Sequence, residues 1–146
     1  MLKLVLSLLV IGVTTLYSQN KVHWSLNYDK QKELILLRGD IEPGWHLYSA
    51  QTPLNAGPIP VEVRIQKNRK IELRKKFVEK LVPTKIFDTN FESDVYIFEE
   101  NYVGEQKIKI KKETILNLTV TYMICNDERC LPPIDEVLSI KLNTHD

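Results

Sequence analysis

Cysteine is almost absent from this sequence. The 146 residues contain two, five positions apart, in the segment Cys125-Asn126-Asp127-Glu128-Arg129-Cys130. Such a pair can close one small ring and nothing else. Histidine occurs three times, at positions 23, 46 and 145, with no cysteine close in sequence. Zinc sites usually combine four ligands at short spacings, so a metal centre is poorly supplied, and neither a metal nor a cofactor is expected. Charge of one sign is also missing: 20 Lys and Arg stand against 19 Asp and Glu, a net of +1. That balance argues against nucleic acid or an anionic membrane surface as a partner, since both want a basic face. Beyond the N-terminus no apolar run approaches the ~20 residues of a membrane span. The chain has neither internal repeats nor low-complexity segments.

The N-terminus has the makeup of a signal peptide. Lys3 supplies a positive start, residues 4–13 an apolar stretch, and Ser18-Gln19 a small residue at a cleavage point. Residues 1–18 are therefore expected to be a leader, with an uncleaved anchor as the alternative. The absence of cysteine near Ser18 excludes a lipoprotein anchor. The rest, residues 19–146, is expected to be one domain with its own core. Export would place the cysteines where disulfides form and persist.

The patterning beyond the leader is β throughout. Val61, Val63 and Ile65 alternate with Glu62, Arg64 and Gln66, and Leu116, Leu118, Val120 and Tyr122 fall on one face of a run continuing to Ile124. Further strands are expected at 22–28, 34–37, 45–48, 95–98, 108–110 and 137–142. The charged stretch 67–80 fits neither period well and is expected to be strand plus loop. Glu42-Pro43-Gly44 signals a turn, residues 52–60 with three prolines and a glycine a loop, and 101–105 a hairpin turn around Gly104. Seven to nine short strands predict an all-β antiparallel sandwich.

The cysteines sit where one strand ends and the connection to the last begins. Residues flanking a four-residue loop can approach closely enough for a disulfide, and Asn126-Asp127 suits the turn. Loop entropy gives so small a ring less than the roughly 3 kcal/mol of a 15-residue one. A bond that stabilises little can serve as an exchangeable electron pair. Pro132 and Pro133 stiffen the exit and offer no N–H, which keeps the edge beside the cysteines open. Arg129 would favour a thiolate, and Asp127 and Glu128 would oppose it. Spacing alone leaves an inert disulfide, redox exchange and, less well supported, metal binding open.

The run from Tyr122 to Pro133, with Cys125, Cys130 and Pro132-Pro133, resembles the active-site segment of the N-terminal periplasmic domain of the thiol:disulfide interchange protein DsbD. Glu42-Pro43-Gly44-Trp45-His46-Leu47-Tyr48-Ser49 and Pro58-Ile59-Pro60-Val61 resemble two further segments of that family in the same order. The resemblance implies an immunoglobulin-like fold and two-electron transfer through both cysteines. It also implies a membrane-embedded electron donor, and a periplasmic disulfide isomerase or thioredoxin-like acceptor. Cys130 matches the family's exposed, attacking cysteine and Cys125 its partner. A family cap loop maps to 85–96, with Phe91 favoured over Phe87 as the aromatic cover, and Tyr48 matches a tyrosine near the cysteines. Trp45 is expected to be packing, and Asp88, Glu92 and Asp94 to lie in a solvated loop. The cysteine loop, at four residues, is about one shorter than in the best-known members. The chain ends at Asp146 with no membrane or thioredoxin-like domain behind it, so the donor is expected to be a separate protein and the chain a periplasmic monomer. The competing expectation is a secreted immunoglobulin-like binding module with an inert disulfide.

Overall fold

The structure, a computed structural model, describes residues 20–144. The expected leader and His145 lie outside the described residues. Those residues form β1 (Val22–Asp29), β2 (Leu34–Ile41), β3 (His46–Tyr48), β4 (Glu62–Ile65), β5 (Ile71–Glu79), β6 (Thr84–Asp88), β7 (Ser93–Glu99), β8 (Asn101–Ile110), β9 (Thr114–Tyr122), β10 (Ile124–Cys125) and β11 (Ile134–Leu142). One 3-10 turn, Leu54–Ala56, interrupts them. Three sheets run in the orders β1-β2-β8-β5, β10-β3-β7-β6 and β11-β9-β4. Every pairing between these strands is antiparallel.

Period-two patterning drives the packing. Leu116, Leu118, Val120 and Tyr122 of β9 are all essentially inaccessible and meet Ile35 and Leu37 of β2, Tyr102 and Ile108 of β8, and Leu47, Phe98 and Ile124 in one core. Each such aliphatic side chain contributes about 1.5–3 kcal/mol when fully buried. The expected strands are present, and two that the pattern did not resolve are added, β6 and β10. The run 116–124 is not continuous. It breaks at Met123, whose N–H reaches the Ile59 carbonyl, and β10 then joins a different sheet from β9. That switch turns Cys125 away from the main core.

The expected turn at 101–105 is not formed. Gly104 lies inside β8 opposite Leu37 and is covered by the Phe77 ring. The glycine permits a close approach rather than a reversal. The chain instead bends at Glu100, with φ +62°, and β7 passes on into β8, so that one run of chain pairs first with β3 and then with β2. Stretch 67–80 is strand plus loop as expected. A register shift between Arg74 and Val78, with Lys75 at φ +71°, breaks its alternation and aims Phe77 at Gly104.

β3 is buried on both faces. Leu47 faces the main core, while His46 and Tyr48 face a second cluster made of Tyr48, Ala56, Val95, Ile97 and Cys125. Ile86, Phe91, Met123 and Cys130 pack against its margin. The cysteines therefore sit in a small hydrophobic centre of their own.

Candidate functional site

Cys125 and Cys130 are joined by a disulfide, with Cα atoms 4.0 Å apart. Leu131 N–H donates to the Ile124 carbonyl and Asn126 N–H to the Arg129 carbonyl, each at 2.9 Å. The two bonds flank the cysteines and make them a non-hydrogen-bonded antiparallel pair, the position where facing residues come closest. In that geometry the peptide groups of Cys130 point away from Cys125. Among the described residues no strand pairs with Cys130 on that side. Asn126 shapes the loop, its Oδ1 accepting from Glu128 N–H (3.0 Å) and Arg129 N–H (2.8 Å). Cys125 is fully buried, Cys130 is partly exposed, and Pro132 and Pro133 are exposed. Cys130 is thus the more accessible residue of the pair.

The segment expected to be a cap loop is a hairpin, β6–β7, with its tip at 89–92. Asp88 Oδ1 accepts from Asn90 N–H at 2.7 Å, and Asn90 Nδ2 donates across to the Asn126 carbonyl at 3.2 Å. The tip is thus tied to the cysteine loop by one side-chain bond. Phe91 stands edge-on to Tyr48, centroids 6.1 Å apart, and packs in the same cluster as both cysteines. Behind it Gly57, at φ +111°, presents bare backbone, and a Cβ there would come within 2.5 Å of the Phe91 ring. Phe87 is 62% exposed and outside that cluster, lining a cleft shared with His46, Asp88, Asn126 and Asp127. Glu92 and Asp94 are exposed as expected, and Asp94 pairs with Lys85 at 2.8 Å.

Asp88 corrects the expectation of a solvated loop, because it is 3% exposed. Its Oδ2 accepts the Tyr48 hydroxyl proton at 2.6 Å. The Tyr48 oxygen lies 3.2 Å from His46 Nε2, which is 3.8 Å from the same carboxylate oxygen. Tyr48 has one hydroxyl proton and spends it on Asp88, so neutral His46 must donate from Nε2, leaving Nδ1 as its acceptor nitrogen. Burial pushes the His46 pKa below its ordinary value, against the opposing pull of Asp88, Glu99 and Asp127. Burial first, and the bond to Asp88 second, push the Tyr48 hydroxyl far above its ordinary range. Trp45 is packed as expected, and Arg129 of the cysteine loop lies over its ring, 5.9 Å from the centroid. The Arg129 charge is thereby held on the Trp45 side of the loop.

The fold therefore brings Cys125, Cys130, Tyr48 and Phe91 together, with Pro132 and Pro133 beside them and Phe87 outside the cluster. Sequence reasoning missed His46 and Asp88. His46 shares a face with Tyr48 by strand alternation, which was the available signal. Asp88 carried none, because its burial depends on a hairpin that only tertiary packing defines.

The family profile for the N-terminal domain of the thiol:disulfide interchange protein DsbD matches residues 14–142. Among solved structures, the reduced Neisseria meningitidis DsbD N-terminal domain superposes with a TM-score of 0.64 at 15% identity, covering 88% of this chain and 90% of that one. The complex between the DsbD and PilB N-terminal domains of Neisseria meningitidis gives a TM-score of 0.58 at 14% identity, with 85% of each chain covered. The N-terminal periplasmic domain of ScsB from Proteus mirabilis gives 0.58 at 16% identity, over 87% of this chain and 49% of that one. No curated protein matches. The sandwich is thus the immunoglobulin-like fold of these domains, and the chain belongs to the DsbD N-terminal domain family.

Proposed function

We propose that this chain is a periplasmic electron carrier that holds two electrons on Cys125 and Cys130. A membrane-embedded dithiol, on a separate protein, would reduce it. A periplasmic disulfide isomerase or thioredoxin-like protein would be reduced by it. The observation that carries this reading is the burial contrast within the pair, Cys130 partly exposed and Cys125 fully buried, beside a hairpin tip tied to the cysteine loop by a side-chain hydrogen bond.

In this reading the reduced chain presents Cys130 as the attacking thiolate. Its sulfur bonds to one sulfur of the acceptor disulfide, and the other acceptor sulfur leaves as a thiolate. Cys125 then attacks Cys130 Sγ, the ring closes, and the second acceptor sulfur is released. The acceptor gains two electrons and the chain loses them. The unpaired backbone edge of Cys130 would let an extended acceptor segment align beside it, and the exposed Pro132-Pro133 leaves that edge clear. A complex with another protein's N-terminal domain, known for the Neisseria relative, supports a protein partner rather than a small molecule.

Trapping tests the reading. Cys125→Ser is expected to hold a stable mixed disulfide with a thioredoxin-like acceptor through Cys130, and Cys130→Ser to form none. The reverse pattern would reassign the attacking sulfur. No adduct with either variant would favour a binding module with a fixed disulfide.

A further inference from the structure

The exchange step leaves one proton without a carrier. Cys125 is fully buried in an apolar cluster, a setting that raises a thiol's pKa, yet it must ionise to close the ring. β10 pairs with β3 so that Cys125 stands directly opposite His46. Facing residues of an antiparallel pair project on the same side, with Cβ atoms about 4.5–5.5 Å apart. His46 is 7% exposed, and its Nε2 proton is committed to Tyr48, which is locked by Asp88. The unprotonated nitrogen is therefore Nδ1. His46 also lines a cleft of about 240 Å³ with Asp88, Asn90, Asn126 and Asp127, which gives a proton a route to solvent.

We propose that His46, oriented by Tyr48 and Asp88, is the base that deprotonates Cys125 during ring closure and returns the proton when the ring is reduced. The proposal rests on the exchange reading above. The mixed disulfide first joins Cys130 to the acceptor. The Cys125 thiol proton passes to His46, and the Cys125 sulfur bonds to Cys130 Sγ. The Cys130–acceptor bond breaks and the acceptor sulfur leaves as a thiolate. The imidazolium, facing Asp88 from β6, Glu99 from β7 and Asp127 from the cysteine loop, then releases its proton into the cleft. Burial keeps the resting imidazole neutral near pH 7, as a base must be.

The test uses the reduced chain and oxidised glutathione, with acid quenching and mass analysis of the Cys130–glutathione adduct. In His46→Gln, adduct formation is expected at the wild-type rate. Ring closure is expected to slow about 100-fold at pH 7, the scale of a lost general base. The deficit should shrink as rising pH ionises Cys125 unaided. Tyr48→Phe keeps the ring but releases Nε2, and its closure rate should show a shifted pH midpoint, an answer that stands even where His46→Gln fails to fold. Wild-type closure rates with a wild-type pH profile in His46→Gln, or an unmoved profile in Tyr48→Phe, would overturn the assignment. A wild-type dithiol that oxidised glutathione converts neither to the adduct nor to the ring disulfide would instead remove the exchange reading, and this assignment with it.

Discussion

Phe91 packs in the cysteine cluster through a few contacts, among them the edge-on approach to Tyr48, and its proposed role is to cover the pair. Such an aromatic pair contributes about 0.5–1.5 kcal/mol beyond its buried area. Phe91→Ala should therefore raise the open population roughly 2- to 10-fold, read as faster reduction of the disulfide by dithiothreitol. Phe87→Ala, altering an exposed ring outside the cluster, should leave that rate unchanged. An equal effect from both would show that the cover is not Phe91. His46 supplies a second test at this scale. Its pKa is held below the ordinary 6.5 by burial, so the unfolded chain binds a proton that the folded one refuses. Its contribution to stability is complete above that value and is lost as pH falls from 6.5 toward the folded pKa. Denaturant midpoints should drop across that window in the wild type and drop less in His46→Gln.

At the scale of elements, the β6–β7 hairpin is seated by the loop that precedes β4. Gly57 adopts φ +111° with the Phe91 ring against its backbone. Gly57→Ala meets both a backbone conformation that L-residues avoid and a collision with the ring. It is expected to cost about 1–3 kcal/mol and to reproduce the faster disulfide reduction of Phe91→Ala, measured by denaturation and by the same kinetics. Normal kinetics in a destabilised variant would mean that the loop does not hold the cap. Strands with clean alternation, such as β9, were legible in the sequence because one face is buried and the other solvated. β10 was not, since two residues carry no period, and it merged with β9 until Met123 separated them. Gly104 misled because a glycine in a strand and a glycine in a turn look alike in one dimension. The cysteine pair was legible in its spacing, and the nearness of Tyr48 and Phe91 to it came only through the family resemblance. Asp88 was not legible, as its burial requires β6 to fold back on β7.

For the whole molecule, the disulfide is a minor part of what holds the sandwich together. The main core joins all three sheets without it. A ring this small restrains the unfolded chain by about 2 kcal/mol in the chain-entropy picture. Reduction should then lower the melting temperature by no more than about 10 °C and leave a cooperative transition. Loss of the folded state on reduction would mark the bond as structural. A fold that does not depend on its disulfide can keep its shape while the pair cycles, as a carrier between two protein partners must.

The most direct measurement is the reduction potential of Cys125–Cys130, obtained by equilibrating the chain in defined thiol–disulfide buffers. An exchangeable pair should lie above about −300 mV, within reach of periplasmic partners. A value well below about −300 mV would place the bond with inert structural disulfides and contradict the account.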